Sequence, residues 1–120
     1  MTDEPDRAPA RDPQDLERLL IARQWLGDID GMIALFDPDA VVDSGEGQLI
    51  RGRKAIRALF AETIAAGRKF QRGDQRPALI NGDLALTSTK LPDGSITTEV
   101  ARRQDDGTWL WVIDRYSVAW

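Results

Sequence analysis

An α+β domain, with three amphipathic helices followed by an antiparallel sheet, is the fold class that three features of the sequence predict. Apolar residues recur at helical spacing before Gly67 and alternate with period two after it. Three glycine-bearing turns, Asn81-Gly82, Pro92-Asp93-Gly94 and Asp105-Asp106-Gly107, divide that second half into four strands. A chain of 120 residues is long enough for one hydrophobic core and too short for a second.

Residues 1–12 hold acids and prolines with almost nothing apolar, so they are expected to form a disordered arm, leaving 13–120 as the domain. Asp12 before Pro13 is a helix start, and Leu16, Leu19, Leu20, Arg23 and Leu26 form the first helical stripe. Gly27 interrupts it, and Asp28 can cap a short second helix carrying Met32, Ile33, Leu35 and Phe36. Asp37-Pro38-Asp39 reads as a turn, Ala40 to Asp43 as a short strand, Ser44 to Gly47 as another turn, and Gln48 to Arg51 as the returning strand. The third helix follows Gly52, with Ala55, Ile56, Leu59, Phe60, Thr63 and Ile64 on one face. Gly67 is placed to end it in a left-handed cap.

The turns set the expected strand registers. Asn81-Gly82 as a two-residue loop pairs Ile80 with Asp83, and the two later turns pair Leu91 with Ser95 and Gln104 with Thr108. The strands are then about Phe70 to Ile80, Asp83 to Leu91, Ser95 to Gln104 and Thr108 to Ala119. One face collects Leu79, Leu84, Leu86, Ser88, Ile96, Thr98, Val100, Leu110, Val112, Asp114 and Tyr116; being the more aliphatic, it is the expected seat of the helices. The other carries Thr87, Thr97, Glu99, Ala101, Arg103, Trp109, Trp111, Ile113 and Arg115. A one-residue change in the last hairpin would instead set Asp114 opposite Glu99, and both registers stay open at this point.

Composition excludes several kinds of chemistry. The chain has no cysteine and no histidine, so Ser-His-Asp triads, Cys-His pairs and ordinary transition-metal sites have no ligands or bases to use. Acid–base work falls to carboxylates, Tyr, Lys or Arg. No metal and no cofactor is expected. A net charge of −4 predicts no attraction to nucleic acid or to an anionic membrane, and no apolar run is long enough to span one. With no leader pattern at the start, the expected setting is cytoplasmic and the expected ligand a small apolar molecule.

Gly27 to Gly31, the Ala-Leu-Phe-x-x-Asp-Ala-x-Val stretch from Ala34 to Val42, the Arg-Gly-Arg-x-Ala-Ile-Arg-x-Leu-Phe stretch from Arg51 to Phe60 and the closing meander resemble the ketosteroid-isomerase and SnoaL-like superfamily. The stretch from Glu99 to Trp109 followed by Val112-Ile113-Asp114 is similar to its SnoaL-like branch. The resemblance covers about Pro13 to the C-terminus and implies the cystatin-like, nuclear transport factor 2-like cone, a pocket between helices and sheet, and a homodimer. The isomerase aspartate falls on Ser44 and the oxyanion-hole tyrosine on Leu20, while the protonated aspartate of that hole falls approximately on Glu99. SnoaL-like cyclases are the better analogy, since they resemble this chain in placing an acid–base aspartate late in the sheet, where Asp114 stands.

Asp114, flanked by apolar neighbours, is the leading candidate for moving a proton beside a carbonyl, against a role as a structural carboxylate. Tyr116 could donate to a developing oxyanion, and Asp43 could face the cavity mouth or merely start the turn after it. Trp25, Phe60, Ser88, Thr98, Glu99 and Val112 are expected to line the pocket, although the first register surrounds Glu99 with Arg76, Arg103 and Arg115, where an ion-pair network is the simpler account. Trp109 and Trp111 form an aromatic stripe expected to be the dimer face. The function classes that follow are an isomerase or aldol-type cyclase, a non-catalytic binding or dimerisation module, and an epoxide hydrolase. The last needs two carboxylates and an arginine, and only the register with Glu99 beside Asp114 supplies the carboxylates.

Overall fold

The computed structural model describes residues 7–45 and 47–118. They form α1 (Asp15–Trp25), α2 (Ile29–Ile33), β1 (Phe36–Asp43), β2 (Leu49–Arg51), α3 (Gly52–Ala65), β3 (Asp74–Gln75), β4 (Leu79–Asn81), β5 (Leu84–Lys90), β6 (Ile96–Arg103) and β7 (Trp109–Arg115). Helices α1 and α3 end in the same way. Gly27 (φ 69°) and Gly67 (φ 72°) turn left-handed, which lets Asp28 N–H reach the Arg23 carbonyl and Arg68 N–H reach the Thr63 carbonyl. Both are Schellman closures, and an L side chain at either glycine would be strained. Helix α2 starts at Asp28, whose carboxylate accepts from Gly31 N–H at 3.1 Å.

The sheet runs β2-β1-β7-β6-β5-β3, with β4 also paired to β5. It is mixed and not wholly antiparallel, because β1 lies parallel to β7. Asp37 to Asp39 belong to β1, where they make an irregularity between Phe36 and Val41 closed by Asp39 N–H on the Asp37 carboxylate. The expected long strand from Phe70 is also broken. Phe70 to Gly73 form a strap over α1, and Pro77, which has no N–H, lies between the two short strands that replace it. The first hairpin is offset, with Asn81 facing Leu84 and glycine leading the two-residue loop. The other two close as expected, Leu91 N–H on Ser95 and Gln104 N–H on Thr108.

The face covered by the helices is the reverse of the one the aliphatic count favours. Leu16, Leu19, Met32, Leu35, Ile56 and Phe60 pack on Ala85, Ala101, Trp109 and Trp111, with the Phe36 ring 5.1 Å from Trp111 and 5.6 Å from Phe60. Trp109 and Trp111 are 4% and 3% exposed, so they are core residues and cannot be the dimer face. The opposite side carries one aliphatic row across five strands, Leu79–Leu86–Val100–Ile113–Val41, each pair in register.

Part of the expected N-terminal arm is also built into the fold. Arg7 pairs through Nε and Nη2 with the buried Asp28 carboxylate, Arg23 Nη2 donates to the Ala8 carbonyl, and Ala10 bridges Trp109. Arg7 to Asp12 therefore belong to the domain; residues 1–6 lie outside the described residues. No helix among the described residues is long and apolar enough to cross a membrane.

Candidate functional site

Strands β6 and β7 form the floor of the site, and a bulge decides what that floor presents. Trp109 and Trp111 face the helices. Strict alternation would then turn Ile113 and Arg115 inward and Asp114 outward. The register shifts between Ala101↔Trp111 and Val100↔Ile113, so Val112 is an extra residue, and Asp114 comes inward directly opposite Glu99. The second of the two open registers is thus the one adopted. Its cause is a bulge within the strand, since the last hairpin keeps Arg103 opposite Trp109.

Above this floor lies a cavity of about 360 Å³. Leu20 and Ile21 of α1, Phe70 of the strap and Leu91 supply apolar walls; Glu99, Asp114 and Tyr116 supply the polar end, with Trp111 beside them. Burial raises the Glu99 carboxyl above its usual range, opposed by the hydroxyls of Thr97 and Thr87, the latter 2.7 Å away. Asp114 is raised well above its usual range, by burial first and by the charge of Glu99 second. No hydrogen bond to its carboxyl forms among the described residues. Thr87 stabilises the ionised form of Glu99, whereas Asp114, with no such donor, is held more strongly toward its neutral acid form. The Tyr116 hydroxyl is pushed up by burial and by Asp114, remaining a neutral donor, and Arg68 pulls it in the opposite direction.

Of the expected site residues, Asp114, Tyr116 and Glu99 meet in this cavity. The others do not line it. Asp43 caps the following turn through Gly45 N–H and pairs with Arg115 at 3.3 Å on the outer face. Ser88 and Thr98 point outward and bond the Thr97 and Thr87 carbonyls. Val112 is the bulged residue, turned away from the helices. Phe60 is wholly buried in the core, and Trp25 is half-exposed, tying its Nε1 to the Phe70 carbonyl. Of the three arginines expected around Glu99, Arg76, Arg103 and Arg115, two are engaged elsewhere, Arg103 with Asp83 and Arg115 with Asp43.

Sequence reasoning missed Glu17, Arg68, Phe70, Thr89 and Thr97 of the lining. A readable signal was the alternation Ala85, Thr87, Thr89 and Thr97, Glu99, Ala101, small or polar residues on one side of two adjacent strands. Such a face leaves space under helices where an aliphatic one would fill it. Glu17 joins helix to sheet, accepting from Thr89 Oγ1 at 2.9 Å and from Gly73 N–H at 3.4 Å. Among the described residues no cluster of acidic side chains has the arrangement of a metal site.

Helices packed against one side of an open, curved mixed sheet, with a cavity between them, define a protein of the cystatin-like α+β class. The SnoaL-like domain family matches residues 17–119, and the chain belongs to it. No curated protein matches the chain. Solved structures share the fold at low identity. A cystatin-like protein of unknown function from Nostoc punctiforme superposes with a TM-score of 0.67 at 16% identity, over 85% of this chain and 84% of that one. A ketosteroid isomerase-like protein from Erwinia carotovora atroseptica gives 0.66 at 12% identity, over 88% and 93%. An NTF2-like protein of unknown function from Pseudomonas putida gives 0.60 at 21%, over 89% and 84%.

Proposed function

We propose that the chain binds a small, largely apolar carbonyl compound in this cavity and moves a proton on it. The observation that carries this reading is the face-to-face burial of Glu99 and Asp114 in an otherwise mostly apolar pocket. Their environments separate an acid from a base. Ionised Glu99 takes a proton from the carbon beside the carbonyl, while the Asp114 carboxyl and the Tyr116 hydroxyl donate hydrogen bonds to the oxygen as it gains charge. Return of the proton to another carbon of the resulting enolate is an isomerisation. Attack of that carbon on a second carbonyl is an aldol-type cyclisation.

The test is hydrogen exchange. Small ketones incubated with the protein in deuterium oxide lose their α-protons faster than in buffer, followed by NMR, and Glu99→Gln or Asp114→Asn abolishes the gain. Exchange no faster than buffer with every ketone bound would leave a non-catalytic binding module. The same carboxylate pair favours a second reading, epoxide hydrolysis, in which Glu99 activates a water and Asp114 protonates the epoxide oxygen. Turnover of styrene oxide without ketone exchange would select it.

We also propose that a second copy of the chain covers the outer aliphatic row. Ile113 is 52% and Leu79 70% exposed there, and the row is flanked by charges of both signs, Arg115 and Asp43 among them. A two-fold pairing sets such a row against itself.

A further inference from the structure

Resting on that reading, we infer that the carbonyl compound is an organic acid, whose carboxylate sits on Arg68 at the rim of the cavity while its carbonyl oxygen reaches Asp114 and Tyr116. Most charged groups of the cavity are already engaged by the protein. Glu17 is held by Thr89 and Gly73, and Glu99 by Thr87. Asp93 accepts from both the N–H and the hydroxyl of Ser95. Lys69 donates to the Trp25 carbonyl and lies over that indole, 5.6 Å from its centre. Arg68 is different. Its backbone is fixed at both ends, N–H on the Thr63 carbonyl and C=O on Gln24 Nε2, yet its guanidinium has no partner among the described residues.

The carboxyl of Asp114 and the hydroxyl of Tyr116 likewise have no hydrogen-bond partner there. The cavity therefore places a carboxyl and a phenol hydroxyl at its floor and, on its wall, the Arg68 guanidinium, all three without a hydrogen-bond partner among the described residues. Tyr116 lines the same cavity as Asp114 and Arg68 and feels the charge of each, Asp114 raising its hydroxyl and Arg68 lowering it. A ligand completing all three has an accepting oxygen at one position and an anion at the other, with an apolar body against Leu20 and Phe70. A single planar guanidinium matches a carboxylate through two parallel hydrogen bonds, and this favours a carboxylate over a phosphate, which calls for more donors.

Calorimetry on the full chain with three probes that share a benzyl group tests this: phenylpyruvate, its neutral counterpart phenylacetone, and phenethylammonium. The wild type is expected to bind phenylpyruvate about tenfold more tightly than phenylacetone at low ionic strength, an advantage reduced by salt. Arg68→Gln should remove that advantage and leave phenylacetone binding unchanged, while Arg68→Lys restores part of it. Equal binding of the two ketones, with Arg68→Gln indistinguishable from wild type, overturns the organic-acid inference and leaves the carbonyl pocket standing. Tightest binding of the ammonium overturns both, making the acidic residues its counter-charges. Binding of neither ketone also overturns both. The Gln24 tether is a backbone contact, so Arg68→Gln is expected to fold, and an unchanged melting temperature checks it.

Discussion

Glu99 and Asp114 stand directly opposite one another on antiparallel neighbours, and they do so because Val112 is one residue too many for the ladder. Without that bulge Asp114 would share the outer face with Val100. The arrangement has a measurable cost, because both carboxyls are raised above their usual values by burial.

The sign of the resulting pH dependence follows from linkage. A carboxyl whose folded value is raised stabilises the fold relative to higher pH only while both states are protonated, and that contribution is lost as pH climbs from about 4 through the raised folded values. Thermal melts of the wild type should therefore fall as pH rises above the ordinary carboxylate range. Asp114→Asn removes the larger of the two penalties, so its melting temperature should equal or exceed wild type at pH 7 and depend less on pH. A wild-type curve flat from pH 4 to 8 would contradict the burial of the pair.

How much of this was legible in the sequence depended on whether the signal was local. Gly27 and Gly67 ending helices, Asp28 capping α2 and the closures at Leu91–Ser95 and Gln104–Thr108 are decided within a few residues, and they read correctly. Two things did not. A bulge at Val112 has no residue signature of its own, so the inward turn of Asp114 stood only as one of two registers. The covered face was misassigned because a sheet side that bounds a cavity is rich in Ala and Thr, while the aliphatic row from Leu79 to Val41 lies outside. Hydrophobicity alone cannot tell a core from a surface awaiting a partner.

Asp28 caps α2 and receives Arg7 from the N-terminal arm. Asp28→Ala should cost about 1–2 kcal/mol by chemical denaturation through loss of the cap, with the arm freed as well. Asp28→Asn keeps the capping oxygen and loses the charge for Arg7, so its cost should be smaller. Equal costs for the two substitutions would mean that the ion pair, and not the cap, is what Asp28 supplies.

Gly73 is the point at which the strap meets the sheet. A Cβ there would lie 2.8 Å from Thr89 Cγ2 and 2.3 Å from the Lys90 carbonyl oxygen, both inside the limits of real contacts and the second against backbone that cannot swing aside. Gly73→Ala should cost about 1–3 kcal/mol and loosen the Glu17 contact to Gly73 N–H. Ligand affinity should fall with it, since Phe70 and Gln71 of the same strap line the cavity. Gly94→Ala is a control of another kind: open space surrounds it, and only its φ of 89° makes alanine unfavourable. It should lose stability without loss of binding.

The outer row gives the last prediction. If a second copy covers it, sedimentation at tens of micromolar should show a dimer, and Ile113→Lys should yield a monomer. Ile113 is the residue to change because it is the central member of the last three strands of the row, opposite Val100 on one side and Val41 on the other, and is 52% exposed. A lysine there touches nothing in the core, so the monomer's own unfolding free energy should stay within about 0.5 kcal/mol of wild type. Trp109→Phe, inside the core at 4% exposure, should behave in the opposite way, lowering stability while leaving the association state unchanged. A wild-type chain that sediments as a monomer, or an Ile113→Lys chain that remains dimeric, would remove the outer row as the site of assembly.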